Sequence, residues 1–107
     1  MVSGTTALNS AGEIVDENDP YVQTRATLDT IRWALEQCGA SMEDIVRYRV
    51  YLVRTEDIPG CTRALAEVFQ PIRPSNTLLC VAALADPAML VEIEADAIIG
   101  SATPVSE

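Results

Sequence analysis

Residues 76–99 read NTLLCVAALADPAMLVEIEADAII, and this stretch decides the fold. Two apolar runs, over residues 77–84 and 90–99, are separated by the turn-forming sequence ADPA. The second run alternates between an apolar face (Val91, Ile93, Ala95 and Ala97) and an acidic face (Glu92, Glu94 and Asp96). This alternation predicts a strand with one buried and one polar face. Three carboxylates on one face repel each other unless cations or water compensate them, so the acidic face needs a partner.

A strand predicted over residues 46–54, VRYRVYLVR, carries the positive charge that the acidic strand lacks. Its predicted buried face holds Val46, Tyr48, Val50 and Leu52. Arg47 and Arg49 belong to the other face, and if the two strands are neighbours they lie across from Glu92 and Glu94. Such pairs form either part of a ligand site or ion pairs that only satisfy one another, and the sequence leaves both open.

Two amphipathic helices are predicted around this strand. The first begins after Asp19, a good N-cap residue, and ends before Gly39, which can adopt a left-handed conformation. The second is predicted to be capped by Thr55 and to end near Phe69. Apolar residues recur at three-four spacing in both helices, so each is expected to cover a sheet with one face.

The predicted order of elements is ββ-α-β-α-ββ, beginning with a hairpin whose strands cover residues 1–7 and 13–15. Two helices on one face of a mixed, mainly antiparallel sheet make a two-layer α+β sandwich. Residues 1–100 are predicted to form a single domain, and residues 101–107 a short tail. The other face of the sheet remains uncovered, which predicts self-association.

Composition narrows the class of protein. The 107-residue chain has a net charge of −9 and no basic run, which argues against nucleic-acid binding. No segment reaches the roughly 18–20 apolar residues of a membrane span, and the N-terminus lacks a signal-peptide pattern, so a cytoplasmic protein is expected. There is no histidine, and Cys38, Cys61 and Cys80 lack metal-ligand spacing. We therefore expect no metal or cofactor, and three buried reduced thiols.

Taken together, the motifs resemble those of the Rid family (YjgF), whose older name is L-PSP endoribonuclease. They cover nearly the whole chain in the family's order: VSGTTA at residues 2–7, Gln23 with Leu28, Ile31, Leu35 and Gly39, DIV at residues 44–46 leading into VYL at residues 50–52, then Pro74, Leu84 and VEIEA at residues 91–95. The last of these motifs is the most specific.

The resemblance implies a chorismate-mutase-like fold, with the last strand between the first strand and the strand after the first helix. It also implies a homotrimer with a small-molecule cleft between each pair of neighbouring subunits. Members of the family hydrolyse 2-imino acids, which arise from enamines, to 2-keto acids and ammonia. A family arginine binds the substrate carboxylate and a family glutamate positions water. The glutamate corresponds to Glu92, the candidate catalytic residue.

The chain departs from this pattern at the arginine, whose position is occupied by Asn76. A neutral amide cannot give a carboxylate the bidentate, charge-assisted contact of a guanidinium. Thr62 occupies the position of a family asparagine, and the family's N-terminal aromatic has no counterpart. Arg73 lies three residues before Asn76, and because an extended loop of that length spans roughly 10 Å, a simple replacement is not expected.

Two functional hypotheses follow. In the first, Glu92 orients water against an imine or a related electrophilic carbon, and the substrate is neutral or weakly charged because the arginine is missing. The candidate substrate-binding residues are Asn76, Ser3, Gly4, Thr5 and Arg73. In the second, the same trimeric cleft binds or senses a metabolite without transforming it. Ribonuclease activity fits the acidic, histidine-free composition badly.

Overall fold

A computed structural model describes residues 2–5 and 18–100, with the backbone alone for Val2 and Ser3. The elements are β1 (Val2–Thr5), α1 (Pro20–Gln37), β2 (Ile45–Leu52), α2 (Ile58–Phe69), β3 (Ser75–Cys80) and β4 (Val91–Ala97). Short 3-10 turns precede β2 (Met42–Asp44) and α2 (Thr55–Asp57). The predicted strand over residues 13–15 and the predicted tail over residues 101–107 lie outside the described residues.

The four strands form one sheet in the order β1-β4-β2-β3. Strand β4 is antiparallel to both of its neighbours, whereas β2 and β3 are parallel. Apolar residues of α1 and α2 join those of β2 and β4 in one core, which includes Leu28, Leu65, Val50 and Ile93. The α+β fold with a mixed, mainly antiparallel sheet is therefore confirmed, and so is the position of β4 between β1 and β2.

The ends of α1 follow the sequence signals. The Asp19 carboxylate accepts a hydrogen bond from the Val22 N–H at 3.1 Å, and Gly39 has a φ of 79°. The predicted cap of α2 is wrong, because Thr55 opens a 3-10 turn and Asp57 occupies the N-cap position. Arg54 donates two hydrogen bonds of 2.9 Å to the buried Asp57 carboxylate, and this pair fixes the tightened entry into the helix.

A β-bulge at the start of β2 changes which residues face the core. Ile45 pairs with Ala97 and Arg47 with Asp96, so β2 has one extra residue over this interval. As a result Ile45 is buried and Val46 is exposed, and the predicted burial of Val46 is wrong. After the bulge, Tyr48, Val50 and Leu52 face the core as the alternation predicted.

Strand β3 forms an edge of the sheet and ends earlier than the sequence indicated. It stops at Cys80, opposite Leu52, because β2 leaves the sheet at that point and offers no further partner. The edge position also exposes Cys80, and Cys38 is exposed beyond the last turn of α1. Only Cys61 is the buried thiol that was predicted for all three cysteines.

Candidate functional site

The acidic face of β4 receives most of its cations from β2. Arg49 lies opposite Glu94 and its Nε donates to the Glu94 carboxylate. Arg47 lies opposite Asp96, with 2.7 Å between Nη2 and the carboxylate oxygen. The expected pairing is thus right for Arg49 with Glu94, but Arg47 meets Asp96 and not Glu92.

These pairs shift the ionisation of their members. A hydrogen bond from the Tyr51 hydroxyl, at 2.7 Å, and another from Arg49 hold the pKa of Glu94 below its usual value. The hydrogen bond from Arg47 likewise lowers the pKa of Asp96. The Glu94 carboxylate in turn raises the pKa of Tyr51. These groups satisfy one another, which favours ion pairing over ligand binding for this part of the face.

Glu92 differs from the other two acids of the face. It lies opposite Tyr51, and neither an ion pair nor a hydrogen bond joins its carboxylate to any of the other residues that the structure describes. The carboxylate rests against Gly4 of β1, where a Cβ atom would overlap Oε2 and come within 2.9 Å of Cδ. Glycine at this position therefore leaves the space that the Glu92 carboxylate occupies.

The remaining β1 candidates flank this contact. Ser3 precedes Gly4 in the strand, and Thr5 follows it. Thr5 is half-buried and lies opposite Ile93, whose side chain faces the core. The structure therefore brings Gly4 to Glu92 directly, with Ser3 and Thr5 as its chain neighbours.

The other predicted residues line a cavity of about 320 Å³ between α2 and β3. Its wall consists of Tyr48, Thr62, Leu65, Ala66, Phe69, Gln70, Arg73, Pro74, Asn76 and Leu78. The structure thus brings Asn76, Arg73 and Thr62 together, although they are separated in the sequence. Among the described residues that form this wall, Arg73 is the one that carries a charge.

Arg73 reaches the cavity because the chain after α2 is not extended. The N–H groups of Ile72 and Arg73 both donate to the Phe69 carbonyl, at 2.9 and 2.7 Å. Arg73 has a φ of 57°, the left-handed conformation that usually belongs to glycine after a helix. The chain is therefore turned, and not extended, where it leaves α2.

Tyr48 is a cavity residue that sequence reasoning assigned to the core alone. Its ring stacks on Phe69 with 4.3 Å between centroids and an interplanar angle of 16°. Only 6% of the residue is exposed, and burial raises the pKa of its hydroxyl. A tyrosine on the buried face of a strand was itself a signal, because a buried hydroxyl usually needs a polar partner.

Glu92 and Asn76 lie on opposite faces of the sheet. Asn76 pairs with Tyr48, which faces the helices, whereas Glu92 pairs with Tyr51 on the other face. One copy of the chain therefore separates the predicted catalytic residue from two of the predicted binding residues, Asn76 and Arg73.

A second cavity, of about 390 Å³, lies at the end of the sheet beside the turn before β4. Arg54 and Asp86 contribute its charges, and the Arg54 guanidinium is already bound by Asp57. The described residues that line it include none of the predicted site residues. Within the described part of the chain, no helix has the length and apolar content needed to cross a membrane.

Comparison with known proteins identifies a family and relatives that this chain matches. Residues 1–99 match the profile of the family described as Endoribonuclease L-PSP. An uncharacterized protein of Streptomyces coelicolor is 36% identical over 101 residues, which cover 94% of this chain and 75% of that protein. The 3-aminoacrylate deaminase RutC of Acinetobacter baylyi is 33% identical over 92 residues, covering 86% of this chain and 72% of the deaminase.

Solved structures agree with the sequence matches. A Mycobacterium tuberculosis member of the YjgF/YER057c/UK114 family has a TM-score of 0.80 at 37% identity, covering 91% of this chain and 75% of that one. A Rid family protein of Yersinia pestis has a TM-score of 0.83 at 32% identity, covering 92% and 76%. The resemblance read from the motifs is confirmed, and the chain belongs to the YjgF/Rid family.

Proposed function

We propose that the protein is a homotrimeric hydrolase that deaminates a small enamine or imine in clefts between neighbouring subunits, with Glu92 positioning the attacking water. The observation that carries this proposal is the set of contacts around the Glu92 carboxylate. Glu92 is the acid of its face without a cation or hydrogen-bond partner among the described residues, and Gly4 keeps space beside it. The likeness to a 3-aminoacrylate deaminase supports the reaction class.

The separation of the two faces supports the proposed trimer. The cavity of one subunit opens beside the edge strand β3, while Glu92 projects from the face opposite to the one on which α1 and α2 pack. A second copy that covers this face can bring its own cavity to Glu92, and it also removes the apolar parts of the face from water. Self-association thus completes the site and stabilises the assembly.

The proposed reaction adds one water molecule and releases ammonia. An enamine first takes a proton at carbon and becomes an iminium ion, whose carbon is electrophilic. Water attacks this carbon while the Glu92 carboxylate accepts a water proton. Glu92 then returns the proton to the nitrogen, and the C–N bond breaks as the hydroxyl group of the adduct gives its proton to solvent, so that ammonia and a carbonyl compound leave. This last proton balances the one that the enamine took from solvent in the first step. Asn76, Thr62 and the Gly4 backbone are the neutral groups that stabilise the changing charges.

A ligand-binding trimer without catalysis is the second candidate. The observation that favours it is Asn76, which stands where the family's carboxylate-binding arginine is expected. In this case the cleft holds a metabolite, and occupancy rather than turnover carries the function. Ligand binding then raises the melting temperature without releasing ammonia.

Ammonia release from 2-iminopropionate, generated in the assay by an amino-acid oxidase, tests the proposal. We expect the wild type to accelerate release and Glu92→Gln to lose on the order of 100-fold in rate, while light scattering still shows a trimer. Glu56→Gln is the matched control, because the Glu56 side chain is 75% exposed and lies outside the cavity. Full activity in Glu92→Gln removes this residue from the mechanism, and a stable monomer overturns the shared cleft.

A further inference from the structure

We infer that Arg73 binds the carboxylate of the substrate, so that the cleft accepts a small enamine or imine bearing an acid group. This inference rests on the proposed function, because it assigns the substrate class of the same site. It places the cation on the turn after α2, whereas the family places it on the strand at the position of Asn76. It also replaces the neutral substrate that the sequence indicated.

Arg73 differs from the other arginines in the partners of its side chain. All seven basic residues of the chain are arginines, and the structure describes every one. Six are engaged by a carboxylate or an aromatic ring: Arg25 by Glu67, Arg32 by Asp29, Arg47 by Asp96, Arg49 by Glu94, Arg54 by Asp57 and Glu56, and Arg63 by Tyr21. The Arg73 guanidinium donates to the Gln70 carbonyl, at 3.3 Å, and meets no carboxylate of the described residues.

The shortage of acids at the cavity makes this arrangement selective. The chain carries 16 acidic residues against seven arginines, yet none of the acids that the structure describes lines the cavity wall. A guanidinium beside a partly apolar concave wall, with no anion to neutralise it, attracts a negatively charged ligand. Its planar donors match a carboxylate in two parallel hydrogen bonds.

Tyr48 gives an independent indication of a ligand. The residue is more than nine-tenths buried and lines the cavity, and its hydroxyl forms no hydrogen bond with any other residue in the described ranges. No buried side-chain nitrogen or oxygen of those ranges lacks a partner, so this hydroxyl is not fully sealed from solvent. A ligand oxygen or nitrogen there would supply the partner that the fold withholds.

The backbone conformation of Arg73 also supports a functional role for this residue. A φ of 57° is costly for a residue with a side chain, and Arg73 also precedes Pro74, a position at which negative φ values are preferred. Among the described residues it is the only one besides glycine with positive φ. Strained conformations of this kind persist mainly at functional sites. Here the strain directs a cation to the wall that Asn76 and Tyr48 share.

The size of the cavity restricts the acid. About 320 Å³ is at the lower end of the range of small-molecule pockets. Asn76 can donate to a second carboxylate oxygen or to the substrate nitrogen, and the apolar walls formed by Phe69 and Leu78 suit a short carbon chain. The inferred substrate is therefore a short carboxylic acid that carries an enamine or a 2-imino group.

Kinetics with a charged and a neutral substrate test this inference. Wild type, Arg73→Gln, Arg73→Lys and Arg63→Gln are compared on 2-iminopropionate and on its uncharged carboxamide. We expect Arg73→Gln to raise KM for the acid by about 10- to 100-fold, with a smaller change in kcat and none for the carboxamide. Arg73→Lys should recover part of the affinity, and Arg63→Gln, which removes an arginine outside the cavity, should resemble wild type.

Calorimetric measurement of pyruvate binding distinguishes a failure of this inference from a failure of the proposed function. If wild type turns over 2-iminopropionate but Arg73→Gln keeps its KM, the reaction stands and the role of Arg73 is overturned. If wild type shows no turnover, the hydrolase proposal fails, and weaker pyruvate binding by Arg73→Gln than by Arg63→Gln still supports the anchor. Equal binding by these two variants, or no binding by wild type, overturns it.

Discussion

Asn76 and Glu92 face away from each other across the same sheet, the first toward the helices and the second toward the uncovered side. Both take part in the proposed site, so in that proposal a single subunit holds two half-sites. Each half-site would be completed by a different neighbour in a closed ring of three. The separation predicts that catalysis is a property of pairs of subunits.

Mixed trimers test this prediction directly. Glu92→Gln and Arg73→Gln subunits are each expected to be impaired when assembled alone, at substrate concentrations well below KM. In a randomly mixed population about one quarter of the clefts combine an intact Arg73 half with an intact Glu92 half. Co-assembly should therefore restore up to about a quarter of wild-type activity. Mixtures prepared without subunit exchange are the control, and equal activity before and after exchange would place both residues in one subunit's site.

Gly4→Ala should disable the site while preserving the fold. The added Cβ would overlap the Glu92 carboxylate, which can swing away because it is the end of a flexible side chain. Displacement of a catalytic group by about 1 Å can cost on the order of 100-fold in rate. We expect kcat to fall on that scale, with the melting temperature and trimer little changed. Gly60→Ala makes the same chemical change on α2 and should keep its activity, and an active Gly4→Ala enzyme would contradict the proposed geometry.

The pKa of Glu94 predicts how stability responds to acid. Because the folded-state pKa is lowered by Tyr51 and Arg49, the folded protein binds fewer protons here than the unfolded chain. The contribution to stability is fully present above the ordinary value of 4.5 and is lost as the pH falls through the lowered value.

Urea unfolding of wild type and Glu94→Gln across this range measures the effect. The variant should be less stable at neutral pH, and the difference should shrink as the pH falls below 4.5. Glu56→Gln, at an exposed side chain, should follow wild type throughout. A difference between wild type and Glu94→Gln that is independent of pH would rule out linkage through this carboxylate.

Gln23 fastens the loop before β4 to the first helix. Its fully buried amide donates to the Ala88 carbonyl and accepts from the Leu90 N–H, both at 2.9 Å. Gln23→Met keeps the volume but leaves these two backbone groups without their partner, at a cost of about 2–4 kcal/mol. Urea unfolding at a fixed protein concentration should show this loss, whereas Gln37→Met at the exposed end of α1 should unfold like wild type. If Gln23→Met loses no more stability than this control, water replaces the amide.

Arg73→Gly should separate stability from binding. Glycine adopts positive φ freely, so this substitution relieves a backbone cost of about 1 kcal/mol while it removes the cation from the cavity. We expect an unchanged or higher melting temperature together with weaker carboxylate binding. Arg73→Ala keeps the strain and serves as the comparison. Equal melting temperatures for the alanine and glycine variants would show that the turn is not strained at this position.

The layer structure was readable from the sequence because it depends on local patterns. Alternation in β4, the three-four spacing in α1 and α2, and the signals at Asp19 and Gly39 each act within a few residues. The charge complementarity of β2 and β4 was also visible. Their register was not, because the bulge at Val46 inserts one residue without interrupting the polar and apolar pattern.

The cavity was less predictable for a related reason. A left-handed residue after a helix is usually announced by glycine or asparagine, and the sequence QPIRP over residues 70–74 contains neither. The position of Arg73 beside Asn76 therefore depends on a conformation that composition does not signal. The exposure of the Tyr48 hydroxyl depends on how α2 packs over β3, which is a property of the assembled fold.

The location of Arg73 on a turn has a consequence for redesign. A strand residue obeys a strict parity, since moving a charge by one position sends it to the opposite face of the sheet. A turn imposes no such parity, and within residues 70–74 it is Ile72 that packs against the core. A library confined to the other four positions (70, 71, 73 and 74) can therefore vary the charge, length and direction of the anchoring group while leaving the four-stranded scaffold as it is. Selectivity and foldability are then adjustable by separate parts of the chain.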